Sequence, residues 1–243
     1  MKFIQRLYTL FLLIGVVLCT SCAKDTCIHG SGPIVSRTLN IDDFNGFDLR
    51  GSFNATLQKG NELKVIAEGQ ENIIDQLSLQ VIGGKWNIKL KEGCYIDYQL
   101  TIHIYSPNIE EFGTSSTGNI QVLNRLDSIS NLSIFNSGSA FILCSDSLII
   151  DNYLNISLNG SGSIGTKGRC LTQNINLSSS GTYNGFGMFS DECIVSLPGS
   201  GNCEINVLNS LDAFIGGSGN IYYTGNPTIS ATITGSGSII NSN

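Results

Sequence analysis

The chain has 243 residues, 41% of them hydrophobic and only 13% charged, so it is long enough for a sizeable core and too poor in charge for a disordered tail. Its formal charge is −6, from 13 basic and 19 acidic residues, and an acidic surface repels phosphate backbones, so nucleic acid is not an expected partner. Glycine is abundant, at 28 residues, which points to a turn-rich β chain.

Residues 1–21 read as an export leader. Lys2 and Arg6 form its basic end, and Leu7 to Leu18 an apolar stretch too short to cross a bilayer. Thr20-Ser21 before Cys22 marks lipoprotein processing, with Cys22 as the acylated first residue; an ordinary signal peptide is the other reading. Cys19 is the poorer site, because Leu18 before it is too large for a signal peptidase. Cleavage removes Lys2 and Arg6 but no acidic residue, taking the formal charge from −6 to −8. No second apolar stretch is long enough to span a membrane.

Residues 22–35 are expected to form a tether and 36–243 a single domain, irregular over 36–113 and regular over 114–243. In the irregular part, Trp86-Asn87-Ile88-Lys89-Leu90 and Leu100-Thr101-Ile102-His103-Ile104-Tyr105 alternate apolar and polar residues, the pattern of strands with one buried face. Only Glu71 to Leu77 has helical spacing, enough for two turns at most.

From Gly118 onward one short phrase recurs: Ser/Gly-Ser/Thr-Gly-polar-apolar. Its last glycines are Gly118, Gly138, Gly162, Gly181, Gly201, Gly219 and Gly237, spaced 20, 24, 19, 20, 18 and 18 residues apart. A fixed period of this length is the mark of a solenoid. Two short strands and two turns per repeat, one of them often carrying Asp (Asp127, Asp146, Asp191, Asp212), predict an all-β parallel β-helix of about 20 residues per coil. At about 4.8 Å per coil the six intervals give a rod on the order of 29 Å long. Glycine is expected at the corners because it reaches positive φ freely, and the Ser and Asn side chains are expected to stack in polar ladders. The last phrase is followed by only Ile240-Asn241-Ser242-Asn243, so the final coil is expected to pair with another chain, giving a homo-oligomer, or to be covered by an N-terminal segment.

Cys27, Cys94, Cys144, Cys170, Cys193 and Cys203 show no framework spacing. Most lie in apolar strand patterns and read as small core residues; one disulfide is the alternative. No zinc, phosphate-loop or nucleophile-elbow pattern occurs, so neither metal nor cofactor is expected.

Three readings compete at the surface. Trp86, Tyr95, Tyr98 and Tyr105 form a candidate aromatic platform facing a glycan or a surface protein, though core and rim positions on strands explain them equally well. Asp191 or Glu192, about one coil from Asp212, would be the carboxylate pair of a glycosidase. A lyase is disfavoured because Arg125, Lys167 and Arg169 are the only basic residues from Gly113 onward. His103, on an alternating strand, reads as a packed or surface strand residue rather than a catalyst.

With both halves in view, the chain resembles the putative auto-transporter adhesin, head GIN domain family. The resemblance rests on Asp43-Phe44-Asn45-Gly46-Phe47-Asp48-Leu49-Arg50-Gly51-Ser52-Phe53-Asn54-Ala55-Thr56-Leu57-Gln58-Lys59-Gly60, on Lys64-Val65-Ile66-Ala67 and on the Gly-Ser-Gly series. It implies a secreted or lipid-anchored β-helical protein of Bacteroidetes with a non-catalytic, adhesive role; a carbohydrate-active β-helix enzyme and a purely structural envelope spacer are the alternatives. In the family the phrase often continues with Asp; here Ser, Thr, Asn or Ala follows, removing the carboxylates that calcium would need. Cys22-Ala23-Lys24-Asp25 resembles the surface-export signal of Bacteroidetes lipoproteins, implying an outer-membrane location, on its outer face. Ser128 and Ser147, each after Asp and before an apolar residue, match the O-glycosylation pattern of those organisms; a turn Asp before a strand explains them as well.

Overall fold

The computed structural model describes residues 27–243; the leader, Cys22 and the first part of the tether lie outside the described residues. The described residues open with β1 (Ile28–His29) and β2 (Ile34–Leu39), then enter a first coil through β3 (Gly46–Leu49) and β4 (Asn54–Lys59). The chain leaves that coil to form β5 (Lys64–Gln70), one helical turn α1 (Glu71–Ile74), β6 (Val81–Ile82), β7 (Lys85–Ile88), β8 (Tyr95–Ile96) and β9 (Leu100–Ser106). It returns through β10 (Glu111–Thr114) and β11 (Ile120–Val122). From there it winds on through β12 (Leu126–Asn136), β13 (Phe141–Cys144), β14 (Leu148–Leu158), β15 (Ser163–Leu177) and β16 (Thr182–Leu197). The last strands are β17 (Cys203–Ile215), β18 (Ile221–Thr224), β19 (Thr228–Ile233) and β20 (Ile239–Asn241).

This is a parallel β-solenoid of about 7 turns, with paired residues about 20 apart, as the repeat predicts. Along its first wall Phe47, Phe112, Ile134, Ile156, Ile175, Val195 and Ala213 stack in register. Along the second, Ala55, Ile120, Ile142, Ile164, Tyr183, Cys203 and Ile221 do the same. None of these side chains is more than 3% exposed. Burying each large aliphatic contributes about 1.5–3 kcal/mol, but only when a neighbouring coil covers it, which is why no coil stands alone.

Each coil has the Gly-Ser-Gly corner, and a second break interrupts the later strands only at 123–125, 145–147 and 225–227. The expected Asp turn is mostly absorbed into strand: Asp127, Asp191 and Asp212 are all extended, and only Asp146 lies in a bend. β15 and β16 run for 15 and 16 residues, bending around a third wall where their register shifts.

The corner glycines serve a different purpose from the one expected. None of the seven has positive φ. A methyl group on Gly201 would instead strike the carbonyl oxygen of Gly181, one on Gly219 that of Gly201, and one on Gly237 that of Gly219. Stacked corners leave no room for a Cβ pointing along the rod. Positive φ is used at Gly83 and Gly84 (59° and 76°), which join β6 to β7 in a two-residue hairpin.

The irregular N-terminal part is the first coil plus a cap. β3 lies between β7 and β10, and β4 between β9 and β11. Gly51-Ser52-Phe53-Asn54 is the first corner: Gly118 N donates to Gly51 O (3.0 Å) and Asn119 N to Asn54 Oδ1 (3.1 Å). Beyond β9 the antiparallel strands β5 and β2 close the pole, with Ile73 and Ile74 of α1 buried beneath. The described part of the tether is folded, since it contains β1, the start of β2 and a disulfide from Cys27 to Cys94.

The opposite pole is open among the described residues. β19 pairs only with β17 and β20 only with β18. Ile229 and Ile233 are 39% and 46% exposed, whereas Leu211 and Ile215 beneath them are 1% and 0%. The alternative of an N-terminal cover is therefore corrected for the described segment: β1 and β2 sit at the far pole, on β8 and β5.

Candidate functional site

At the capped pole a groove of about 870 Å³ opens between the first corner and the loop leading into β9. Its sides are Ser52, Phe53 and Asn54 from the corner, Gln70 from the end of β5, and Tyr95 to Thr101. The loop is held from several directions. Cys94 is bonded to Cys27, and β1 pairs with β8 through Ile28–Tyr95 and His29–Ile96. Asp97, in the left-handed region at φ 55°, meets His29 Nδ1 through Oδ2 at 3.1 Å, and Gln99 N donates to Gln70 Oε1 at 2.8 Å.

Of the four predicted aromatics the fold brings two together. Tyr95 and Tyr98 meet edge to face, with centroids 6.4 Å apart and planes at 75°. Burial and then the neighbouring Tyr95 raise the Tyr98 pKa, so its phenol stays protonated at physiological pH. Trp86 is corrected: it is wholly buried, packed against Phe44 at 5.6 Å, with its indole N–H donating to Ser78 O. Its alternating strand turned this ring toward the core, so it faces no ligand. Tyr105 lies half-buried on β9 between Gln58 and Lys64, outside the groove lining.

A second feature is the outward face of the first wall. Ser133, Asn155 and Asn174 stack coil over coil, Asn174 Nδ2 donating to Asn155 Oδ1 (2.9 Å) and Asn155 Nδ2 to Ser133 Oγ (3.3 Å). Beside them run Phe135, Ser157, Asn176, Ser196 and Phe214. Corner ladders add Thr117 to Ser52, Ser161 to Ser139, and Ser238 N to Asn220 Oδ1.

The proposed carboxylate pair does not converge in a cleft. Asp212 stands exposed on the flat first wall beside Ile194, and Glu192 beside Ser210. Asp191 lines a separate shallow depression with Asp151 and Arg169. His103 is held in the cap by Thr56 Oγ1 (2.9 Å) and Glu68 Oε2 (3.1 Å). Ser128 is exposed and Ser147 half-buried. Among the described residues no group of three or more His, Cys, Asp or Glu is placed to hold a metal.

The disulfide is a further element, and only Cys27 and Cys94 form it; Cys144, Cys170, Cys193 and Cys203 are free and buried. Cys94 follows Glu92-Gly93 in a loop instead of sitting in an apolar alternation, which is the one signal that separated it from the core cysteines. Burial pushes the thiols of Cys144 and Cys170 up to about 12, and those of Cys193 and Cys203 well above the usual range. A polar network inside the core was not legible at all: Tyr183 OH bonds to Thr166 Oγ1 and Gln173 Oε1, both at 2.7 Å, and Gln173 Nε2 donates to Ser190 Oγ at 2.9 Å.

Residues 43–227 match the family model described as putative auto-transporter adhesin, head GIN domain. The chain belongs to this family. The matched range covers the first coil, the cap apart from β1 and β2, and the later coils up to β18. No curated protein matches the chain. A crystal structure of a putative adhesin from Bacteroides fragilis NCTC 9343 superposes with TM-score 0.80 at 23% identity, covering 88% of this chain and 100% of that one. One from Parabacteroides merdae ATCC 43184, also called a putative adhesin, gives 0.69 at 18%, covering 89% and 99%. A protein from Parabacteroides distasonis ATCC 8503 called a putative lipid binding protein gives 0.69 at 23%, covering 90% and 100%. At these identities the likeness is one of fold.

Proposed function

We propose that this head GIN protein is a lipid-anchored adhesin of the cell envelope, held in an outer membrane through Cys22, and that it binds without catalysing. The observation that carries the reading is the columned outer wall, where Ser133, Asn155 and Asn174 are fixed by hydrogen bonds to one another. Groups spaced at the coil repeat of about 4.8 Å, on strands stacked in register, suit repeated polar contact with an extended glycan or protein surface. The family description and the leader read from the sequence support the same role. The uncovered aliphatics of β19 support pairing of the last coil with a second copy.

Adhesion of the mature chain to immobilised polysaccharides tests this. Binding is expected to fall on replacing Asn155 and Asn174 by Ala, and to persist unaccompanied by hydrolysis in an Asp191→Ala/Asp212→Ala protein. Hydrolysis by the unaltered chain that disappears in that double variant would establish the glycosidase reading instead. Intact mass of the native protein tests acylation at Cys22 and glycosylation at Ser128 and Ser147; an unmodified mass removes both.

A further inference from the structure

The groove at the capped pole is built with more constraint than its share of the core requires. β1 and β8 form a two-stranded sheet of two residues each, separate from the solenoid sheet, yet the single disulfide of the described residues is placed there. Its effect is to fix the backbone on either side of Tyr95 and Tyr98. Gly30 packs so closely that a methyl group there would meet Asp97 O and Tyr98 Cα below 3 Å. A tyrosine has only two rotatable side-chain bonds, so holding its backbone and packing its ring leaves little entropy to lose on binding.

The lining selects a ligand class. Phe53 and Leu100, 4% and 5% exposed, close the floor, and the two half-buried tyrosine rings present apolar faces. Around them stand Ser52, Asn54, Gln70, Gln99 and Thr101, all uncharged donors or acceptors. No lysine or arginine lines the groove, and its one charged group, Asp97, is paired with His29. A phosphate, sulfate or uronate would find no counter-charge here and would meet the negative field of the chain. A purely apolar ligand would strip water from the side-chain NH2 groups of Asn54, Gln70 and Gln99 without replacing it, although Asn54 Oδ1 and Gln70 Oε1 already accept backbone hydrogen bonds. A neutral pyranose meets both demands, with a C–H face for an aromatic ring and hydroxyls for amides and alcohols.

We infer that this groove is a carbohydrate subsite that takes a neutral hexose unit against Tyr95 and Tyr98, and that the Cys27–Cys94 disulfide assembles it. The site is distinct from the columned wall and stands whether or not that wall is adhesive. The Tyr98 ring supplies the stacking face, and its protonated phenol adds only a secondary hydrogen-bond donor.

The test is calorimetric titration of the full mature chain with neutral gluco-, manno- and galacto-oligosaccharides, alongside oligogalacturonate as the anionic comparator. Binding to at least one neutral probe and none to oligogalacturonate is expected. Tyr98→Ala should weaken it at least about tenfold, while Tyr98→Phe, which keeps the ring, should retain most of the affinity. Cys27→Ser/Cys94→Ser should also lose binding with the far-ultraviolet β spectrum unchanged, which separates loss of the site from loss of the fold. Leu143→Ser, exposed on β13 and outside both the wall and the groove, should bind these probes normally, which separates loss of the site from a general effect of surface substitution. Absence of binding to every neutral probe, preference for the anionic one, or undiminished affinity in Tyr98→Ala overturns the inference.

Discussion

Gly201→Ala is the sharpest probe of how the coils are stacked. The corner at Gly201 lies between those of Gly181 and Gly219, and its φ is not positive, so alanine brings no backbone strain. The added methyl nevertheless points at Gly181 O and comes within 2.9 Å of Gly181 C. Relieving that overlap requires the corners to separate by about 1 Å, which takes the bonds from Ser200 N and Gly201 N to Ser179 O (3.1 and 3.0 Å) out of hydrogen-bonding range. Two such bonds contribute about 1–3 kcal/mol together, the same size as the usual cost of overpacking, so a loss of about 2–4 kcal/mol is expected. For a domain of this size that lowers the thermal midpoint by on the order of 10 °C. Gly165→Ala is the control, since its methyl would meet the flexible Leu143 Cδ1 at 3.3 Å and Ile142 O only at an ordinary 4.0 Å, and should shift stability by no more than about 0.5 kcal/mol. Thermal melts followed by circular dichroism compare the two. Equal midpoints would refute in-register stacking as the reason for glycine at the corners.

Four further outcomes are expected. Tyr183→Phe removes the hydroxyl shared by Thr166 and Gln173 and should cost about 1–3 kcal/mol in chemical denaturation, because Gln173 Oε1 is left buried without that donor. The four free thiols should resist maleimide at pH 8 in the native Cys22→Ser chain and all react after unfolding, since burial disfavours the thiolate. Asp127 is held below its ordinary pKa, first by the hydrogen bond from Lys59 and then by the charges of Lys59 and Arg125. Its contribution to stability is therefore present above the ordinary carboxylate range and lost as pH falls through its lowered folded-state value, and Lys59→Met should flatten that part of an acid-denaturation curve. Light scattering should show a dimer that Ile229→Lys/Ile233→Lys dissociates; a strictly monomeric unaltered chain would count against pairing at the open coil.

The repeated phrase was enough to establish an all-β, parallel solenoid, because its information is local and periodic: every coil uses the same short corner and the same alternation, and stacking follows from repetition. The Ser and Asn ladders at the corners were legible for the same reason, whereas the Ser133–Asn155–Asn174 ladder on the first wall was not. The reason for the glycines was not, since a Cβ conflict with the coil below exists only once two corners are superposed. The cap could not be read either. Gly118 rests on Gly51 and Thr114 on Leu49 across an excursion that has no period, so nothing in the residues told β3 to lie between β7 and β10. The same non-local closure decided the candidate site. Tyr95 and Tyr98 were visible in the sequence, but Cys27, Gln70 and Asn54 come from distant segments that only the folded cap brings beside them. Alternation could mark Trp86 as a strand residue without saying which side of the strand faced inward; contact with Phe44, made in three dimensions, settled that.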